Sequence, residues 1–148
     1  GETVADLGSG TGFYTDDVAP FAGTVYAVDV QEAMHDAYRE KDVPSNVEFV
    51  TAAVGDLPLD DGELDAAFST MTYHEYADAS ALAELRRVLA SGARMVTVDW
   101  SANGAGESGP PTDERFTVDE ATSALADAGF DVAHASERPE TFLVVVTA

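Results

Sequence analysis

The chain has 148 residues, of which 45% are hydrophobic, with 28 acidic and 7 basic side chains and a formal net charge of −21 at pH 7. This length supports one domain, residues 1–148, with a single core. Disulfides and thiolate metal sites are excluded because cysteine is absent, and no apolar run is long enough to span a membrane. The acidic excess disfavours a nucleic-acid partner and is typical of a halophile, so we expect a cytoplasmic protein in concentrated salt.

Apolar runs alternate with helical patterns along the chain, which is typical of βαβ units and a parallel sheet. The patterns predict strands over 2–7, 24–29, 47–52, 64–69, 93–99, 130–137 and 141–147, and helices over 14–19, 31–41, 80–89 and 118–128. Thr117 and Glu120 predict a capping box before the last helix, and Gly129 predicts its end. The segment 101–113 is rich in Gly, Ser and Pro and predicts a long loop, either an active-site wall or an idle surface loop.

The first predicted strand runs into the segment 6–12, which reads D-L-G-S-G-T-G. A strand followed by a glycine turn and a helix is expected to collect free backbone N–H groups where a nucleotide-like ligand can approach closely. A dinucleotide-binding turn reads G-x-G-x-x-G, whereas the glycines here alternate. Asp6 would repel a pyrophosphate and attract an ammonium group. The segment therefore favours S-adenosylmethionine over a nicotinamide dinucleotide.

Five segments in this order resemble the class I S-adenosylmethionine-dependent methyltransferases, in particular the type 11 or ubiquinone-biosynthesis-like group. They are the glycine turn at 6–12, V-Y-A-V-D at 25–29, V-G-D-L-P at 54–58, L-D-A-A-F-S at 64–69 and L-R-R-V-L-A-S-G-A-R at 85–94. The resemblance implies an α/β, Rossmann-like fold: a seven-stranded, mostly parallel sheet in the order 3-2-1-4-5-7-6, helices on both faces and the last two strands antiparallel. It also implies methyl transfer to a small-molecule substrate. The alternative is a non-catalytic S-adenosylmethionine-binding module or a subunit that supports a partner.

The residues that the resemblance assigns to S-adenosylmethionine lie at or beside the carboxyl ends of the first four predicted strands: Asp6, Gly8, Ser9, Gly10, Gly12, Asp29, Val30, Asp56, Leu57 and Ser69. Asp6 would hold the methionine ammonium group, or else it is a buried acid that caps the loop. Asp29 would accept both ribose hydroxyls. Asp56 would receive the adenine amino group, with the N–H of Leu57 facing the ring. Met34 is predicted to lie in the core.

The methyl acceptor is expected beside the residues that follow the fourth strand. An N-P-P-[YF] motif is absent there, which disfavours amino-group methylation of DNA or protein glutamine and favours an oxygen or carbon acceptor. His74 is the candidate base for a hydroxyl or acidic carbon, or else a surface or capping histidine. Tyr73, Trp100 and Arg115 are placed on the substrate side. For Trp100 the alternative is a plug at the sheet edge, and for Arg115 it is a surface salt bridge. No histidine spacing predicts a metal site.

Members of this family usually carry a helical segment before the first strand that closes over the cofactor. The numbering here starts one residue before the first predicted strand. Either those residues exist but are absent from this numbering, or the fold is minimal and its pocket is open to water.

Overall fold

The computed structural model describes residues 1–148 and contains seven strands and five α-helices. The strands are β1 (Thr3–Leu7), β2 (Thr24–Asp29), β3 (Val47–Thr51), β4 (Leu64–Thr70), β5 (Leu89–Trp100), β6 (Asp131–Glu137) and β7 (Thr141–Thr147). The helices are α1 (Thr15–Val18), α2 (Glu32–Arg39), α3 (Tyr73–Tyr76), α4 (Ala79–Val88) and α5 (Val118–Asp127). Two 3-10 turns span Ala19–Phe21 and Thr112–Glu114.

The strands form one sheet in the order β3-β2-β1-β4-β5-β7-β6. The five strands from β3 to β5 run parallel, and β7 pairs antiparallel with both β5 and β6. The predicted fold and strand order are confirmed. Because parallel crossovers are right-handed, α1 and α2 lie on one face of the sheet, and the α3–α4 connection lies on the other. The strand order therefore reverses direction between β1 and β4.

The core lies along both faces of the central strands. Four of the five residues of β1 are buried, whereas β7 buries alternate residues, as expected for a strand nearer the edge. From α4, Leu82, Leu85 and Val88 join the same buried cluster. Two of the helices, α4 and α5, are capped by side chains: Asp78 accepts the N–H of Ala81 at 2.7 Å at the start of α4. The predicted capping box of α5 is also present.

Several boundaries differ from the sequence prediction, some of them for identifiable local reasons. The helix predicted over 80–89 ends at Val88, and β5 starts at Leu89 rather than at 93, with a register shift against β4 between Leu64 and Ala66. The first helix ends at Val18 because Pro20 lies in the following 3-10 turn. The short helix α3 was not predicted, since four residues are too few to display helical periodicity. None of the helices combines the length and apolar character that a membrane span requires.

Candidate functional site

A cavity of about 520 Å³ lies at the carboxyl ends of β1 and β2, beside the point where the strand order reverses. Open α/β sheets bind ligands at such a switch point. Its walls come from the glycine turn, from residues 28–34, from residues 52–55 after β3 and from the α3–α4 region. Of the predicted cosubstrate residues, four line it: Gly8, Gly10, Asp29 and Val30. Met34 also lines the cavity, which corrects its prediction as a core residue.

The N–H groups of the glycine turn are directed to β2. Gly8 and Ser9 both donate to the carbonyl of Val28, at 2.8 and 2.9 Å, and Gly10 donates to Asp29 Oδ2 at 2.9 Å. The expectation that these N–H groups are free is therefore wrong. A turn whose donors are already used, next to a carboxylate, is unsuited to a phosphate and compatible with a cationic ligand.

The three glycines of the turn meet different constraints, although all have positive φ angles. A Cβ at Gly8 would lie 2.5 Å from Thr72 Cγ2, and a Cβ at Gly12 would overlap the ring of Tyr38. Only at Gly10 is there open space where a Cβ would lie. Gly8 and Gly12 are thus required by contacts within the protein, and Gly10 is the one that leaves room for a ligand.

Asp29 is held at the cavity by two backbone groups. Its Oδ2 accepts from Gly10 N, and its Oδ1 accepts from Gln31 N, each at 2.9 Å. Since each carboxylate oxygen has two lone pairs, both oxygens can still accept a hydroxyl. The side chain is therefore fixed in place with its acceptor capacity only half used.

Asp6 lies in β1, below the glycine turn, and does not line the cavity. The residue is 3% exposed, and its Oδ2 accepts from Thr15 Oγ1 at 2.6 Å. Burial raises the pKa of Asp6 to about 6; the Thr15 hydrogen bond opposes this rise, and the negative charge of Asp29 adds to it. A buried carboxyl group with a raised pKa therefore lies below the turn, and a cation close to it would favour its charged form.

The segment after β3 is oriented differently from the prediction. Asp56 is exposed next to Gly55, which lines the cavity. Leu57 is buried, and its N–H donates to Glu84 Oε2 at 2.7 Å rather than facing a ligand. Glu84 therefore takes the place that the prediction gave to the adenine ring.

Two serines and one threonine fill the space around the turn. Ser9 is 8% exposed, and its hydroxyl has no hydrogen-bond partner. Ser69 is buried, and its Oγ lies 3.0 Å from Thr72 Oγ1. The Thr72 hydroxyl donates to the carbonyl of Leu7 at 2.8 Å. Thr72 lines the cavity and was missed by the sequence analysis; the signal was its place after β4, beside the end of β1. It follows Met71, whose φ of 61° is unusual for a residue other than glycine.

His74 and Asp99 form a hydrogen-bonded pair across the ends of β4 and β5. His74 Nδ1 lies 3.0 and 2.9 Å from the two carboxylate oxygens of Asp99, which also accept the backbone N–H groups of His74 and Trp100 at 2.6 and 2.8 Å. The groups that face these carboxylate oxygens are all nitrogens, so Nδ1 is the donor to Asp99. In the neutral imidazole the other ring nitrogen, Nε2, is then the acceptor. His74 lies between two cavity-lining residues, Thr72 and Glu75, although its own ring is outside the lining.

The three residues predicted on the substrate side, Tyr73, Trp100 and Arg115, do not line this cavity. The ring of Tyr73 is fully buried against Phe116, and burial, with a contribution from Asp99, raises the pKa of Tyr73 to about 12. Trp100 is covered by the guanidinium of Arg115, 5.1 Å from its ring centroid.

Arg115 itself is 6% exposed and forms no ion pair. It donates to the backbone carbonyls of Ser101, Ser108 and Pro110. It therefore fastens the loop over 101–113, a role that matches neither a substrate contact nor a surface salt bridge.

Comparison with known proteins identifies the fold and the family. A family model described as a methyltransferase domain matches residues 5–97. The crystal structure of a SAM-dependent methyltransferase from Aquifex aeolicus has a TM-score of 0.89 and 33% identity, over 98% of this chain and 81% of that chain.

Two curated relatives are similar in sequence. A demethylmenaquinone methyltransferase of Clavibacter sepedonicus is 35% identical over 103 residues, covering 68% of this chain and 42% of its own. An uncharacterized methyltransferase of Mycobacterium bovis is 32% identical over 129 residues, covering 79% of this chain and 52% of its own. The chain thus spans about half the length of these curated relatives.

Proposed function

The chain belongs to the methyltransferase domain family, and on that premise we propose that it transfers a methyl group from S-adenosylmethionine to a small metabolite. An oxygen or carbon acceptor is favoured. The observation that supports this proposal most strongly is the cavity at the strand switch point, with Asp29 fixed at its wall and open space at Gly10. S-adenosylmethionine would need both features: an acceptor for its ribose hydroxyls, and room to lie close to the glycine turn.

The residues present fit that cosubstrate. The open position at Gly10 is a cradle that a Cβ would fill, and the buried hydroxyl of Ser9 has no partner within the protein. Asp29 keeps two free acceptor positions, and Val30 and Met34 offer apolar surface for a purine. Asp6 lies below the turn and provides negative charge for an ammonium or sulfonium group.

When bound, S-adenosylmethionine supplies a methyl carbon that its positive sulfur already makes electrophilic. The chain's own contribution is to hold the two reactants in line, to limit water and to receive a proton. His74 Nε2 carries the lone pair for that proton because Asp99 fixes the proton of Nδ1. The charge that the ring gains is balanced by Asp99, which is fully buried beside it.

This arrangement suits acceptors that lose a proton during methylation, a hydroxyl or an acidic C–H group. The name of the Clavibacter relative, a demethylmenaquinone methyltransferase, supports the inclusion of a demethylmenaquinone-type compound among the candidate acceptors. The alternative, a binding module without catalysis, would need the same cavity and would leave the His74–Asp99 pair unused.

The same proposal places the protein in a salt-rich cytoplasm, with small molecules rather than nucleic acid as substrates. Its support is the charge: 28 acidic against 7 basic residues, and no cysteine. An acidic surface of this density repels phosphate backbones unless salt screens it.

Methyl transfer is tested with S-adenosylmethionine carrying a labelled methyl group, in concentrated KCl. Demethylmenaquinol, a catechol and a primary amine serve as acceptors for carbon, oxygen and nitrogen. We expect label in the quinol or the catechol and much less of it with His74→Gln. Label in the amine alone, at a rate that His74→Gln does not change, would contradict the assigned chemistry. Binding of S-adenosylmethionine without transfer to any of the three would favour the binding module.

A further inference from the structure

The segment 72–81 runs from the end of β4 through α3 into the first turn of α4 and forms one side of the cavity. At its start Thr72 packs against the glycine turn, since a Cβ at Gly8 would lie 2.5 Å from Thr72 Cγ2. At its end Ala81 lies opposite the segment after β3, with its Cα 3.9 Å from the position of a Cβ at Gly55. The start of α4 therefore borders the end of the cavity that lies away from the glycine turn.

The purine of S-adenosylmethionine would lie at this second end. Asp29, at the end of β2, is the group proposed for the ribose, and the apolar residues Val30 and Met34 follow it in the chain and line the cavity. The glycine turn borders the other end, where Gly10 leaves open space. A nucleoside held at Asp29, with its methionine part at the turn, therefore directs its base towards the start of α4.

Two polar side chains at the start of α4 line this end of the cavity, Asp78 and Ser80. Asp78 is the N-cap of the helix: its Oδ1 accepts the N–H of Ala81 at 2.7 Å, and its carbonyl accepts the N–H of Leu82 at 3.0 Å. No hydrogen bond or ion pair within the protein engages Oδ2. The cap thus fixes the orientation of the carboxylate and leaves one of its oxygens free to accept.

The acid that the family resemblance assigned to the purine lies elsewhere. Asp56 is exposed and does not line the cavity, although its neighbour Gly55 does. The N–H of Leu57, which was expected to face the ring, donates to Glu84 instead. Of the two acids, only Asp78 belongs to the wall of the cavity.

We propose that Asp78, through Oδ2, accepts a hydrogen bond from the 6-amino group of the purine and thereby selects a 6-amino over a 6-oxo purine. This inference rests on the proposed function, since the purine is that of S-adenosylmethionine. A carboxylate accepts hydrogen bonds and donates none, so a 6-oxo group in the same place would meet a second acceptor. Because the capping bond uses the other oxygen, Asp78 can cap α4 and bind the purine at the same time.

The test uses two variants that keep the cap and change only the free group. Asp78→Asn has to turn its amide oxygen to the N–H of Ala81, which leaves its NH2 donor at the position of Oδ2. Asp78→Ser caps the helix with its hydroxyl and presents no group there. Asp119→Asn is the matched control, because Asp119 is an exposed acid in the first turn of α5 and does not line the cavity. Asp56→Asn tests the rival acid.

Each variant and the wild type are titrated calorimetrically with S-adenosylhomocysteine and with S-inosylhomocysteine, which carry a 6-amino and a 6-oxo purine respectively. The ratio of the two dissociation constants is the readout. Melting temperatures are measured alongside, so that loss of fold is separated from loss of selectivity.

We expect the wild type and Asp119→Asn to favour S-adenosylhomocysteine by about tenfold or more, the value of one hydrogen bond to a charged group. In Asp78→Ser the ratio should fall towards one, and in Asp78→Asn it should reverse in favour of S-inosylhomocysteine. A ratio that is unchanged in both folded Asp78 variants, or that is lost in Asp56→Asn instead, would overturn this inference and leave the proposed function intact. A folded wild type that binds neither compound would overturn both.

Discussion

Replacing Asp6 by asparagine is expected to stabilise the protein at neutral pH while weakening the binding of S-adenosylmethionine. Asp6 is 3% exposed, and Thr15 is its only side-chain hydrogen-bond partner. Its negative charge is therefore poorly compensated in the absence of a ligand. Asparagine keeps an oxygen acceptor for Thr15 and removes the charge.

The pKa of Asp6 gives the size of the effect. Burial raises it from 3.8 to about 6 in the folded protein, which corresponds to about 3 kcal/mol at roughly 1.4 kcal/mol per pKa unit. The folded state keeps the proton up to about pH 6, whereas the unfolded chain loses it near pH 4. The contribution of Asp6 to the free energy of unfolding is therefore fully present below pH 4 and is lost as the pH rises through about 6. The variant Asp6→Asn escapes that loss, because its amide does not ionise.

The assay is urea unfolding at pH 4 and pH 7.5 for the wild type, Asp6→Asn and Asp65→Asn. Asp65 is the control, because it is exposed and accepts the N–H of Thr3 at the opposite end of the same strand pair. We expect Asp6→Asn to gain up to about 3 kcal/mol at pH 7.5 and close to nothing at pH 4. An equal change at both pH values, or a loss at pH 7.5, would refute the reasoning.

Three further predictions address catalysis, the glycine turn and salt. His74→Gln and Asp99→Asn should each lower the methyl-transfer rate in steady-state assays by about 10²-fold or more, with little change in cosubstrate affinity. If His74→Gln turned over at the wild-type rate, His74 would not be the base. Gly12→Ala should cost about 3 kcal/mol in urea unfolding, because its Cβ overlaps Tyr38 at a positive φ. Gly10→Ala should cost only about 1 kcal/mol and mainly weaken cosubstrate binding; equal unfolding costs would contradict this difference. Raising KCl from 0.1 to 1 M shortens the Debye length from about 10 to about 3 Å, so the melting temperature should rise by calorimetry, and a fall would argue against adaptation to salt.

Most strands could be predicted from the sequence because they are apolar runs, although β6 is polar and fully exposed. The order of the strands followed from the family resemblance. The position of Asp29 at the end of β2 followed in the same way. The start of β5 at Leu89 could not be predicted in this way, because the chain passes directly from helix α4 into the strand. The first part of that strand contains Gly92 and Arg94, which are not typical of a buried strand.

The site was less predictable, because its details depend on contacts between distant segments. Position 12 needs a glycine because the ring of Tyr38 packs against it, and a pattern of alternating glycines does not distinguish this from a ligand contact. The His74–Asp99 pair joins residues 25 positions apart that meet only because β4 and β5 are neighbours. An arginine is usually found at the surface, yet Arg115 is buried against the loop over 101–113, whose carbonyls accept its hydrogen bonds.

The most direct test of the account is calorimetric titration of S-adenosylmethionine into the folded protein in concentrated KCl, with NADH as the ligand control. Asp29→Ala removes the carboxylate at the cavity wall, and Asp65→Ala is the matched exposed change at the opposite end of the sheet. We expect micromolar binding of S-adenosylmethionine to the wild type and to Asp65→Ala, none to Asp29→Ala, and no heat with NADH. A folded wild type that does not bind S-adenosylmethionine, or that binds NADH instead, would contradict the central claim.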